Sequence, residues 1–198
     1  MSKLYVNEIH PKTVGGTIIT SGFTIGSNVK EVLTMLCDGG TYTVSSGTYT
    51  STNVNGAQQL TSTFTDVNGS VISYTPPAGT TAVVYEFTCQ VSRASDAHSI
   101  GSYKFLIDGV EVVYNRHSVA ANSNPELVTT FKYVIPIGGT ANTNTGRQAS
   151  WSGAKTLKIQ AREHGGNNEQ QLFRTYFFDG AQAQVFSTPT LTITALGG

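Results

Sequence analysis

Short runs of alternating apolar and polar residues predict a mainly β chain whose C-terminal two thirds form an antiparallel sandwich. Three observations carry this. Seven or eight strand patterns recur between residues 65 and 198, with no helical pattern among them. Turn-forming residues punctuate them every ten positions or so. Only 12% of the residues are charged, about half the usual share, so Thr, Ser, Asn and Gly must make up the surface. The eight-stranded version of such a sandwich is the jelly roll.

Composition narrows the rest. At 198 residues the chain fits one domain plus extras or two small domains. Twelve basic and 12 acidic residues cancel, and the basic ones are scattered, so nucleic-acid binding through counterion release has no support. No apolar run approaches the ~18 residues of a membrane helix, and the first residues lack the apolar stretch and cleavage site of a secretory signal. The expectation is synthesis in a cytoplasm without membrane insertion. Cys37 and Cys89 lie far apart, without metal-ligand spacing, and are expected as buried free thiols rather than a disulfide.

In chain order, residues 1–26 open with "KLYVNEI", in which Leu4 and Val6 face one way and Tyr5 and Ile9 the other. His10-Pro11 stops that strand, and the Gly/Ser/Thr-punctuated stretch after it reads as an extended arm. Residues 28–36 predict the one short helix. Asn28 is its N-cap and Glu31 completes a capping box, with Val29, Val32, Leu33 and Leu36 on one face. From Thr41 to Phe64, "TYTV", "GTYTSTNV" and "NGAQQLTSTF" are β-type but sparsely apolar. Residues 27–64 are therefore expected to form a helix and small β neck, and residues 65–198 the sandwich.

Within the sandwich, Pro76-Pro77 forces an extended link and Ala78-Gly79 a turn. In the next strand Val83, Tyr85 and Phe87 alternate with Val84, Glu86 and Thr88. Asp108-Gly109 joins "SYKFLI" to "VEVVYN" as a two-residue hairpin. In "ELVTTFKYVIPI", Phe131, Tyr133 and Ile135 oppose Thr130, Lys132 and Val134; in "KTLKIQARE", Leu157, Ile159 and Ala161 face inward. "LFRTYFF" places Tyr176, Phe177 and Phe178 in a row, apolar on both faces. One face packs the core, and the other needs either a covering loop or a copy of the chain.

The search for chemistry yields little. There is no phosphate loop, nucleophile elbow, HExxH or EF-hand. The four histidines never fall at paired ligand spacing, and Asp96/His98 and Arg162/Glu163/His164 read as polar residues of loops and strand ends. Asp108 and Asp179, each followed by Gly, are turn formers. No catalytic residue, metal or cofactor is expected. The loops 118–126, 138–153 and 164–171 are rich in Asn, Gln and Thr, and the second carries Arg147 and the sole Trp151. That pair offers a stacking platform for a sugar, although polar loops are also what any sandwich shows to solvent.

With "SKLYVNEI", "VLTMLCDGGTYTVSSGTYT", "DVNGSVISYTPPAGTTAVVYEF", "FLIDGVEV" and "PTLTITALGG", the chain resembles a family of structural proteins from tailed phages of marine bacteria, including cyanophages. Their sandwich is similar to the trimeric tumour-necrosis-factor-like jelly rolls of virion fibres and knobs. The resemblance spans nearly the whole chain but rests on turns and strand edges. It implies a non-enzymatic virion protein, homotrimeric through Tyr176, Phe177 and Phe178, forming a capsid decoration, fibre or tail fibre. The arm, with Leu4, Tyr5, Val6 and Ile9, would dock on another virion protein as an added strand. The alternative is a host-receptor or glycan-binding module using Arg147 and Trp151.

Overall fold

The computed structural model describes residues 28–93, 99–121, 127–165, 169–177 and 183–197. The chain order is β1 (Val29–Leu36), β2 (Thr41–Val44), β3 (Gly47–Thr50), β4 (Gln58–Gln59), β5 (Thr65–Asp66), β6 (Ile72–Tyr74), β7 (Thr80–Arg93) and β8 (Ser99–Ile107). It continues with β9 (Val110–Glu111), a short 3-10 turn (Val113–Asn115), β10 (His117–Ala121), β11 (Leu127–Pro136) and β12 (Lys155–Glu163). β13 (Gln170–Leu172), β14 (Arg174–Phe177), β15 (Ala183–Phe186) and β16 (Thr190–Gly197) complete it.

Two open antiparallel sheets face each other. The first runs β1-β16-β7, with β11 on the other edge of β7 and the short β13 and β4 continuing beyond the end of β16. The second runs β10-β8-β12, with β5 and β6 sharing the outer edge of β12. The chain crosses between the sheets from β6 to β7, β7 to β8, β10 to β11 and β11 to β12, in the manner of two Greek keys folded together, which is the jelly-roll wiring. The Asp108-Gly109 hairpin forms as the sequence predicts. Both residues are left-handed, with φ of 51° and 80°, which suits the twist of the flanking strands.

The core is an aromatic seam between the sheets. Phe105 stacks on Tyr133 at 4.3 Å between centroids and lies 5.1 Å from Tyr85, while Tyr103 meets Phe131 at 4.5 Å. Leu157, Ile159 and Ala161 close the seam from β12. Each large side chain so buried is worth roughly 1.5–3 kcal/mol, and well-angled ring pairs add about 0.5–1.5 kcal/mol more. Cys37 and Cys89 are buried free thiols.

Residues 29–36 are a strand, not the predicted helix. β1 pairs with β16 along its length, from Val29↔Leu196 to Leu36↔Thr190. Leu33 and Met35 point into the core, and so does Glu31, which is only 7% exposed. Its carboxylate accepts four hydrogen bonds: Ser45 Oγ at 2.5 Å, Ser46 N at 2.8 Å, Ser46 Oγ at 2.6 Å and Tyr74 Oη at 2.8 Å. A buried charge is tolerable only when paired in this way. It also fastens the β2–β3 hairpin to the sandwich.

The boundary drawn at residue 64 has no counterpart in the packing either. Leu33, Met35, Cys37, Val54 and Leu60 belong to one core cluster with Tyr85, Phe105 and Ile159. The sandwich therefore begins at β1, and β2–β3 is a hairpin resting on it.

Candidate functional site

The outer face of the first sheet is the first candidate surface. Strand register sets Val32, Thr194, Val84 and Val134 side by side across β1, β16, β7 and β11. The next row is Thr34, Thr192, Glu86 and Lys132, and the one after it Leu36, Thr190, Thr88 and Thr130. Val32 is 51% exposed, Val134 49% and Val128 74%. The central charges, Glu86 and Lys132, cancel through an ion pair of 2.9 Å. The surface is thus a neutral field of Val and Thr, whose alternation with Phe131, Tyr133 and Ile135 beneath was legible as period two.

The second sheet carries a different surface. Register brings Ser118, Ser102 and Arg162 into one row across β10, β8 and β12, and Lys104, Gln160 and Asp66 into the next but one. Phe64, just before β5, and Glu111 and Arg116, either side of the 3-10 turn, complete a cup of about 340 Å³. Lys104 Nζ sits 4.3 Å from the Phe64 ring centroid and Arg162 Cζ 5.1 Å from it. Such cation–π contacts draw both positive heads to the same ring.

Glu111 is the one carboxylate in the cup. It accepts from Arg116 Nε at 2.5 Å and lies 3.9 Å from Lys104 Nζ. The Arg116 hydrogen bond, with the charges of Arg116 and Lys104, holds its carboxyl below the ordinary range against the upward push of burial. It stays ionised and is committed to those two. Among the described residues no acid pairs with Arg162. The neighbouring Asp66 is engaged by Lys158 at 2.9 Å and by Gln160 Nε2 at 2.8 Å.

The sequence-predicted sites fall elsewhere. Leu4, Tyr5, Val6 and Ile9 lie outside the described residues, as do Phe178, Asp96, His98 and Asp179. Tyr176 and Phe177 are on β14, paired with Gln184 and Ala183 of β15. Arg147 and Trp151 do not form an open platform. Trp151 is 8% exposed, edge-on to Tyr74 at 6.4 Å, and its indole N–H donates to the Tyr74 carbonyl at 3.2 Å. Its ring is part of the core and has no free face for a sugar. Arg147 donates to the Gly138 carbonyl at 3.1 Å and pins its own loop.

Sequence reasoning missed the cup. Alternation in "SYKFLI" and "KTLKIQARE" already turned Ser102, Lys104, Gln160 and Arg162 outward, but nothing in one chain says which strands are neighbours. Asp108, read as a turn former, also accepts from Thr156 N at 2.8 Å and Lys155 Nζ at 3.0 Å. Among the described residues no group of three or more His, Cys, Asp and Glu is placed to hold a metal ion, and no helix is long and apolar enough to cross a membrane.

No family model matches the chain, and no curated protein matches it. Solved structures with some likeness include several from infectious bursal disease virus. One of its Gx strain aligns at a TM-score of 0.41 and 15% identity, covering 85% of this chain and 32% of that one. The VP2 subviral particle gives 0.41 and 14%, covering 85% and 33%. T=1 particles derived from the virus give 0.33 and 14%, covering 98% and 41%. The chain thus spans about a third of the length of the first two.

Proposed function

We propose that the chain is a non-enzymatic structural protein of a virus particle, assembled as a homotrimer and attached by residues 1–26 to another particle protein. The observation that carries the assembly is the neutral Val/Thr face of the β1-β16-β7-β11 sheet, with Val32, Leu36, Val128 and Val134 open to solvent. A surface whose only central charges are already paired with each other meets its own copy without like-charge repulsion. Covering each half-exposed valine adds on the order of 1 kcal/mol. The run Tyr176–Phe178 is the second set of apolar residues assigned to contact between copies. The particle setting and the three-fold order rest on the resemblance of the sequence to phage structural proteins.

Attachment through the arm fits the geometry at its root. Asn28 is held beside the C-terminal strand by a hydrogen bond from Gly197 N at 2.7 Å, so the described chain begins at the rim of the sandwich. Leu4, Tyr5, Val6 and Ile9 supply alternate side chains for strand addition to a partner edge. Adhesion through Trp151 is not part of this reading, since that ring is in the core.

The test is sedimentation of the full chain beside Val134→Asp. The expected result is a species near three times 21.0 kDa that falls to a single chain in the variant, with unchanged circular dichroism. A wild-type protein that remains a single chain at micromolar concentration overturns the assembly.

A further inference from the structure

We propose that the cup on the β10-β8-β12 face binds an acidic saccharide, a sugar carrying a carboxylate or a sulfate. This goes beyond the structural role and is independent of it, because the cup is on the opposite sheet from the face assigned to contact between copies.

Charge gives the sign of the ligand. Lys104, Arg116 and Arg162 converge on a cavity with one carboxylate, and Glu111 is taken up by Arg116 and Lys104. Arg162 is left facing the cavity without an acid among the described residues. A planar guanidinium is the donor best matched to a carboxylate or sulfate, through two parallel N–H bonds. The Phe64 ring holds Lys104 and Arg162 against itself before any ligand arrives, so less ordering remains to be done on binding.

Size and lining give the ligand its class. About 340 Å³ is at the small end of ligand sites and suits one or two sugar rings rather than a folded partner. Ser102 and Ser118 line the cup beside the cations and offer hydroxyls to a polyol. A nucleic acid would need cations continued along a track. Here the other lysines of this sheet are spent among the described residues: Lys158 on Asp66 and Lys155 on Asp108. On this sheet, among the described residues, the unspent positive charge lies in the cup.

The experiment is titration calorimetry of the full chain with three hexasaccharides, one sulfated, one built of uronic acids and one neutral, and with inorganic sulfate. The acidic sugars are expected to bind and the neutral one not; the stronger of the two acidic arms identifies the anionic group. Arg162→Gln should weaken binding by about tenfold or more, as loss of a charge-assisted bidentate contact does, and Lys104→Ala should weaken it as well. Lys158→Ala removes a cation outside the cup and should change affinity by no more than about twofold. Arg162 is exposed, so its replacement leaves the fold intact, and a thermal melt checks this. Equal binding of neutral and acidic sugars, no binding of either, sulfate ion binding as tightly as the sugars, or an unaffected Arg162→Gln variant each overturns the proposal.

Discussion

Replacing Glu31 by Gln tests the account of β1 most directly. The wild-type carboxylate presents two oxygens to four donors, Ser46 Oγ and Tyr74 Oη on one, Ser45 Oγ and Ser46 N on the other. An amide keeps the shape but turns one oxygen into a donor. The Ser46 backbone N–H cannot reverse its polarity, so the amide oxygen must stay on that side. Ser46 Oγ and Tyr74 Oη must then rotate to accept. Four charge-assisted bonds become neutral ones, a loss of about 1 kcal/mol each, offset in part because a neutral amide is less costly to bury. The expected net loss is about 2 kcal/mol, or roughly 4–8 °C in melting temperature for a chain of this size.

The pH dependence fixes the cause. Burial pushes the Glu31 carboxyl upward, and the hydrogen bonds from Ser45, Ser46 and Tyr74 together hold it below its ordinary value. A depressed folded-state pKa stabilises fully above the ordinary glutamate range and ceases to as pH falls through the folded value. The gap between wild type and Glu31→Gln should therefore be full at neutral pH and close in acid. Urea titrations at neutral and acidic pH read it. Equal stability at neutral pH, or a gap that does not change with pH, refutes the reasoning.

Two further substitutions probe the interior. A Cβ on Gly101 would run into Oε1 of Gln170, a wholly buried side chain that also accepts from Tyr103 Oη and donates to Ser99 Oγ. Gly101→Ala should therefore cost about 1–3 kcal/mol by overpacking, and an unchanged urea midpoint would contradict that placement. The hydroxyls of Tyr85 and Tyr133 should respond oppositely to removal. Tyr85 Oη donates to the Ser70 carbonyl at 2.5 Å, whereas Tyr133 Oη is buried without a partner among the described residues. Tyr85→Phe should lose about 1 kcal/mol and Tyr133→Phe should lose nothing or gain; equal losses in thermal melts would refute the assignment.

The sandwich strands were legible because their apolar residues alternate without interruption. Phe131, Tyr133 and Ile135, or Leu157, Ile159 and Ala161, fall on one side by period two and are buried there. Segment 28–36 misled for a specific reason. Val29, Val32, Leu33 and Leu36 satisfy helical spacing, while the strand reading requires Glu31 to lie inside between Lys30 and Val32. A carboxylate on an apolar face counts against a strand unless its donors are known, and Ser45, Ser46 and Tyr74 come from two other elements. Trp151 misled in the same way: a tryptophan in a polar loop looked like an open ring, but the Tyr74 carbonyl that holds it inside is distant in sequence. The cup depends on which strands lie side by side, information that pairing supplies and local pattern does not.

β1 and β16 run in opposite directions, with Asn28 and Gly197 joined at one corner. That arrangement gives the fold a mechanical grain. Tension applied between the two ends would peel these strands apart one rung at a time, the weak direction of a ladder. A load drawn along β1 from its leading segment against the body of the sandwich would instead strain all its rungs together. A tether at the leading segment therefore loads this corner in its strong direction.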